Sequence, residues 1–97
     1  MNYYTTVKTG EVQGGTTAAQ MPDIPCSLIK IKAVGSNSGN VYIGGVGVTK
    51  IDGVTDETTG FELDAGQETD WMAIDNLNKF YMITDNNGDD VIYIALL

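Results

Sequence analysis

The back half of this chain constrains its fold more than any other feature. Short runs of apolar and polar residues follow one another there, each stopped by a Gly, Asn or Asp turn, with no helical stretch between them. Phe61-Glu62-Leu63, Trp71 to Asp75, Lys79 to Thr84 and Val91 to Leu97 read as strands of a small antiparallel protein. In Trp71-Met72-Ala73-Ile74 the alternation places apolar groups on both faces, so both faces are expected to be covered, as in two sheets packed together. Core burial is the expected fate of Trp71, with a contact surface as the alternative.

The front half extends the pattern. Ile29, Ile31 and Ala33 alternate with Lys30 and Lys32 in a strand expected from Cys26 to Val34, apolar on one face and charged on the other. Gly35 to Asn40 is a turn by composition. Val41-Tyr42-Ile43 resumes a strand, and Gly44-Gly45-Val46-Gly47 lets it bend before Val48 to Ile51, which gives an expected hairpin. Asp52 to Gly60 is a polar loop, Asp64 to Gln67 a turn, and Asp75 to Asn78 a connection pinned by apolar Leu77. Asn87-Gly88 predicts a tight hairpin that pairs the last strand with the one before it.

Residues 1–23 differ in being rich in Thr, Gly, Gln and Ala and poor in large aliphatics. Pro22 and Pro25 then forbid a helix and favour an extended entry to the first firm strand. The expected architecture is therefore all-β: a small antiparallel β-sandwich, jelly-roll-like or Greek-key, over residues 24–97, preceded by an extended N-terminal arm over 1–23. Within the arm, Tyr3, Tyr4 and Val7 belong to a β-prone stretch, Tyr3 to Lys8, able to pair with a sheet edge of its own or of a neighbour.

Composition removes several functions. The 97 residues contain no histidine, no arginine and one cysteine, so the side chains that catalysis usually recruits are scarce. Ser27, Ser36 and Ser38 have no imidazole to activate them, and an enzyme is not expected. Cys26 cannot form an intramolecular disulfide and reads as a small buried hydrophobe. No run approaches the roughly 18 apolar residues of a membrane span, and Met1-Asn2-Tyr3-Tyr4 begins nothing like a signal peptide, so a soluble chain is expected. The net charge of −8 is unevenly spread: residues 1–50 hold four lysines against two acids, and residues 51–97 hold eleven acids against Lys79. Five lysines cannot supply the clustered basic surface that nucleic acid requires. The acids read as a solvated face, while Lys30 and Lys32, on one strand face, are placed to meet an acidic edge of a neighbour.

Two loops imitate ligand sites and fail on mechanism. Gly44 to Lys50 lacks the glycine spacing and following helix of a phosphate loop. Asp85 to Asp90 has its glycine fourth instead of sixth, and Leu96 stands where a calcium loop needs Glu. The carboxylate pairs, among them Asp56 with Glu57 and Asp89 with Asp90, lack the cleft of a glycosidase. No metal, cofactor or catalytic residue is expected.

From about Ile24 onward the chain resembles a group of small structural proteins of tailed bacteriophages, of the capsid decoration and head-fibre type. The resemblance rests on Cys26-Ser27-Leu28-Ile29-Lys30-Ile31-Lys32-Ala33, Ser38-Gly39-Asn40-Val41-Tyr42-Ile43-Gly44-Gly45, Gly60 to Glu68, and Ile74 to Met82. It implies a virion protein, assembled in the host cytoplasm, that joins copies of itself, often as trimers, to the major capsid protein or another virion protein. It needs no active site, nucleic acid or membrane. Its interface is expected to draw on Tyr3, Tyr4, Val7, Lys30, Lys32, Tyr42 and Trp71. The alternative is a fibre or tail module that binds host carbohydrate through Trp71, Tyr42 or Tyr81.

Overall fold

A computed structural model describes residues 3–54 and 58–97. Eight strands build it: β1 (Val7–Gln13), β2 (Ala19–Gln20), β3 (Leu28–Ala33), β4 (Val41–Gly44), β5 (Phe61–Leu63), β6 (Met72–Ala73), β7 (Tyr81–Thr84) and β8 (Asp90–Leu96). A three-residue 3-10 turn, Leu77–Lys79, is the one helical element among the described residues, and none there is long and apolar enough to cross a membrane. The strands form two four-stranded antiparallel sheets, sheet A in the order β1-β8-β3-β6 and sheet B in the order β2-β7-β4-β5.

The pairings explain that order. β1 pairs with β8, β2 with β7, β3 with β6 and β4 with β5, which is the pattern of one long two-stranded ribbon folded at β4–β5. The two remaining pairings, β3 with β8 and β4 with β7, are those made when that ribbon is rolled up. A rolled ribbon of eight strands in two sheets is a jelly roll, the first of the two sandwich topologies expected, and it draws β1 and β2 from the residues 1–23 expected as an arm.

Alternation decides what the sheets bury. Ile29, Ile31 and Ala33 of β3 point inward at 0% exposure, and Val91 and Ala95 of β8 lie beside them. Val41, Ile43, Leu63 and Met82 answer from sheet B, and Met21, Cys26 and Leu77 close the end of the core. Leu77 is the pin expected of it. Its N–H donates to the Ile24 carbonyl, and Asn76 accepts the Ile24 and Asn78 N–H groups while donating to Asp23. Cys26 is buried as expected, its thiol donating to the Ile74 carbonyl; it sits just before β3 instead of within it.

Two strand pairings differ from the sequence expectation. Residues 48–51 form no strand: Thr49 and Thr59 bond each other reciprocally, and β4 pairs with β5 and β7. The Asn87-Gly88 turn does not make a hairpin, because β7 lies in sheet B and β8 in sheet A. A two-residue type I′ hairpin needs positive φ at both central positions, and among the described residues only glycines have it, here Gly88 at +89°. The connection becomes a crossing between sheets, locked by Asp89. Its carboxylate accepts the N–H groups of Ser38 and Gly39, at 3.0 Å each, and a hydrogen bond from Asn86. Asn37 grips the next residue, donating to the Asp90 carbonyl and accepting its N–H.

Val7–Gln13 is a full seven-residue strand of sheet A, in register with β8 from Val7 opposite Leu96 to Gln13 opposite Asp90. Its sequence hides this, because an edge strand has a neighbour on one side only and Lys8, Thr9, Glu11 and Gln13 remain exposed.

Candidate contact surface

The two outer faces of the sandwich are unlike. On sheet B, Tyr42 points outward between core residues Val41 and Ile43, yet it is 3% exposed. Val48 and Gly60 cover that face: Val48, buried itself, lies 3.0 Å from where a side chain on Gly44 would begin, and Gly60 closes against Tyr42. Burial raises the Tyr42 phenol above its ordinary pKa, and the Asp85 carboxylate that accepts its hydroxyl hydrogen bond adds to this. Tyr42 is therefore a packing residue, unavailable to a partner.

Sheet A carries an open face. Strand register sets Thr9, Ile94 and Lys30 in one row across β1, β8 and β3, and Glu11, Ile92 and Lys32 in the next. Lys30 and Lys32 stand outward because Ile29, Ile31 and Ala33 are taken by the core. Trp71 precedes β6, and the Lys30 ammonium sits 5.3 Å from its ring centroid. A cation at that distance over an indole is attracted by about 0.5–1 kcal/mol at an exposed site. Glu68 Oε1 lies 4.0 Å from the same ammonium. These rows enclose a shallow depression of about 540 Å³.

Alternation favours a core position for Trp71, and the structure corrects it: Trp71 is 43% exposed and Ile92 41%. Only Met72 and Ile74 of that segment pack on the core, while Ala73 is exposed with Trp71. One face of the segment is covered. Both readings began from the same alternation, and the free face became legible only with the sheet order, which puts β6 at an edge.

A second pair of acids borders this face. Asp90 precedes Ile92 by two residues, and one of its carboxylate oxygens, Oδ1, is buried without a partner. Glu11 lies near it across the β1–β8 pair, and its carboxyl is held above the ordinary value, first by the hydrogen bond its protonated form gives Asp90 and then by the Asp90 charge. Asp89, by contrast, lies below the ordinary range. Burial opposes its ionisation, but the Ser38 and Gly39 N–H groups and the Asn86 and Ser38 side chains outweigh burial.

Of the residues proposed from sequence for an interface, Lys30, Lys32 and Trp71 share the outer face of sheet A. Tyr3 at 80% exposure, Tyr4 at 48% and Val7 at 64% lie along and ahead of β1. The aromatic groups of the carbohydrate alternative are not brought together. Trp71 is on sheet A, Tyr81 alternates with core residue Met82 to face outward from sheet B, and Tyr42 is covered. Asp56 and Glu57 lie outside the described residues. What sequence reasoning missed is the apolar share of the face, Ile92 and Ile94, whose run Val91-Ile92-Tyr93-Ile94 reads as buried on both sides.

No protein-family model matches the chain, and no curated protein or solved structure matches it.

Proposed function

We propose that the protein is a non-enzymatic adhesive module, a virion structural protein of the capsid decoration type, which holds to a particle lattice through the outer face of sheet A. One observation carries the reading. Trp71, with the Lys30 ammonium over its ring, stands 43% exposed on the outer face of sheet A, the face that also carries Ile92 and Lys32. An exposed indole with a stacked cation, in an apolar patch rimmed by charge, is the usual composition of a binding hot spot. The partners proposed are copies of the chain itself and a capsid or other virion protein, with the virion as the place of action. Support for the virus comes from the sequence resemblance and from the jelly roll's frequent use in capsids, an analogy of fold that also admits lectins.

A glycan array on the isolated protein tests the choice between adhesion to protein and adhesion to sugar. A lattice adhesive binds no glycan on the array selectively; reproducible, Trp71-dependent binding to one sugar class replaces this reading with the carbohydrate one.

A further inference from the structure

Four strand edges bound the two sheets, and three of them are blunt: β2 and β6 have two residues each and β5 three. The fourth, β1, has seven, with no proline, and among the described residues its only strand neighbour is β8. The register tells which of its backbone groups are free. Thr6 and Leu97 exchange both hydrogen bonds, and the Gly14 N–H donates to the Asp89 carbonyl, so the even-numbered residues bond β8. In an antiparallel strand the alternate residues then point away. The N–H and C=O groups of Val7, Thr9, Glu11 and Gln13 face outward from the sheet.

An open edge of this length is a template for another strand, and proteins that do not use one usually shorten, charge or cover it. We infer that β1 pairs antiparallel with β1 of a second copy, joining two A sheets into one of eight strands. The self-complementary register of a neutral strand favours the second copy as occupant. Each chain carries −8, which opposes self-association over most of the surface, whereas β1 holds one Lys8 and one Glu11 and is neutral. The two-fold register that uses the whole strand is centred on Gly10. It opposes Val7 to Gln13, Lys8 to Val12 and Thr9 to Glu11, setting no like charges directly across. Moving the axis to Glu11 would set the two Glu11 carboxylates face to face. The pairing leaves the outer face of sheet A open in both copies, so a dimer presents two Trp71 surfaces on one continuous sheet. The inference rests on the adhesive reading only for the use of that doubling.

The test is solution mass with amide exchange, on the whole chain. At about 100 µM, a concentration suited to a small interface, the protein sediments as two 10.4 kDa chains. The amides of Thr9 and Glu11 become protected in the dimer, and those of Lys8, Gly10 and Val12 are protected in monomer and dimer alike. Thr9→Pro removes an outward N–H without touching the bonds to β8, a place where an edge strand accepts proline. It weakens the dimer at least tenfold. Val7→Lys with Gln13→Lys places like charges opposite each other and does the same, in case the proline variant fails to fold. A wild type that stays monomeric, or a dimer indifferent to the lysine pair with Thr9 and Glu11 unprotected, overturns the inference. Trp71→Ala leaves the dimer intact, so failure of adhesion and failure of pairing are read separately.

Discussion

Thr69 completes the hydrogen bonding of Ile31 by itself. Its hydroxyl accepts the Ile31 N–H at 3.1 Å, and its own N–H donates to the Ile31 carbonyl at 2.8 Å. Both residues are buried, and the side chain stands in for a ladder carbonyl just before the chain enters β6. Trp71 follows two residues later, so the contact that satisfies the core also sets the position of the exposed ring.

Thr69→Val therefore keeps the shape and orphans a buried N–H. The expected loss is about 1–3 kcal/mol, measured by urea denaturation, whereas Thr69→Ser restores most of it. Equal stabilities for the Val and Ser variants would show that the hydroxyl contributes nothing.

Gly14 is required by close approach. A Cβ there would lie 2.3 Å from the Thr84 methyl and 2.5 Å from the Asp89 carbonyl oxygen, and the latter is backbone that cannot rotate away. Gly14→Ala should cost about 1–3 kcal/mol through overpacking. Gly45 has open space and no positive φ, so Gly45→Ala should be neutral or stabilise by about 0.4–1 kcal/mol. Thermal melts should show a lowered midpoint for Gly14→Ala and an unchanged or raised one for Gly45→Ala.

Acidification acts on the crossing turn. Asp89 has a folded pKa below its unfolded value, so its contribution is fully present above the unfolded value, near 4, and is lost as pH falls through the folded one. Stability should decline below about pH 4, and Asp89→Asn should be less stable at pH 7 and decline less on acidification. Glu11 has the opposite sign: its raised folded pKa means that ionisation beside Asp90 opposes folding at neutral pH. Glu11→Gln should therefore raise the melting temperature at pH 7 and change it little near pH 3. A melting temperature unchanged or lowered at pH 7 would contradict the carboxyl pair.

Much of the fold is legible in residue types because burial imposes a period of two. Ile29, Ile31 and Ala33 announced the inner face of β3, and Leu77 announced its role as a plug. The Asp64–Gln67 turn formed as its composition directs, with Gly66 at φ +84° and the Gln67 N–H donating to the Asp64 carbonyl. Pairing partners were less legible. Asn87-Gly88 is compatible with a hairpin and with a crossing, and the choice was made by β8 having both sides occupied, by β1 and β3. The candidate surface shows the same limit. Lys30 and Lys32 share one face from spacing alone, but the exposure of Trp71 and the covering of Tyr42 depend on which strand lies at an edge and where Val48 and Gly60 fall.

Cys26 is unsuited to labelling, because burial, aided by the Asp75 charge, raises its thiol pKa and hides its sulfur. Reaction with a maleimide should be slow under native conditions and rapid in denaturant. Fast native labelling would show that the end of the core near Leu77 opens readily.

The adhesive role of the outer face of sheet A is tested most directly by adding the purified, terminally tagged protein to phage particles made without it and pelleting the particles. The wild type should sediment with them in a fixed, saturable ratio. Trp71→Ala, at a half-exposed residue outside the core cluster, should fold normally and remain in the supernatant. Sedimentation of Trp71→Ala in the same ratio, or no sedimentation of the wild type, would contradict the account.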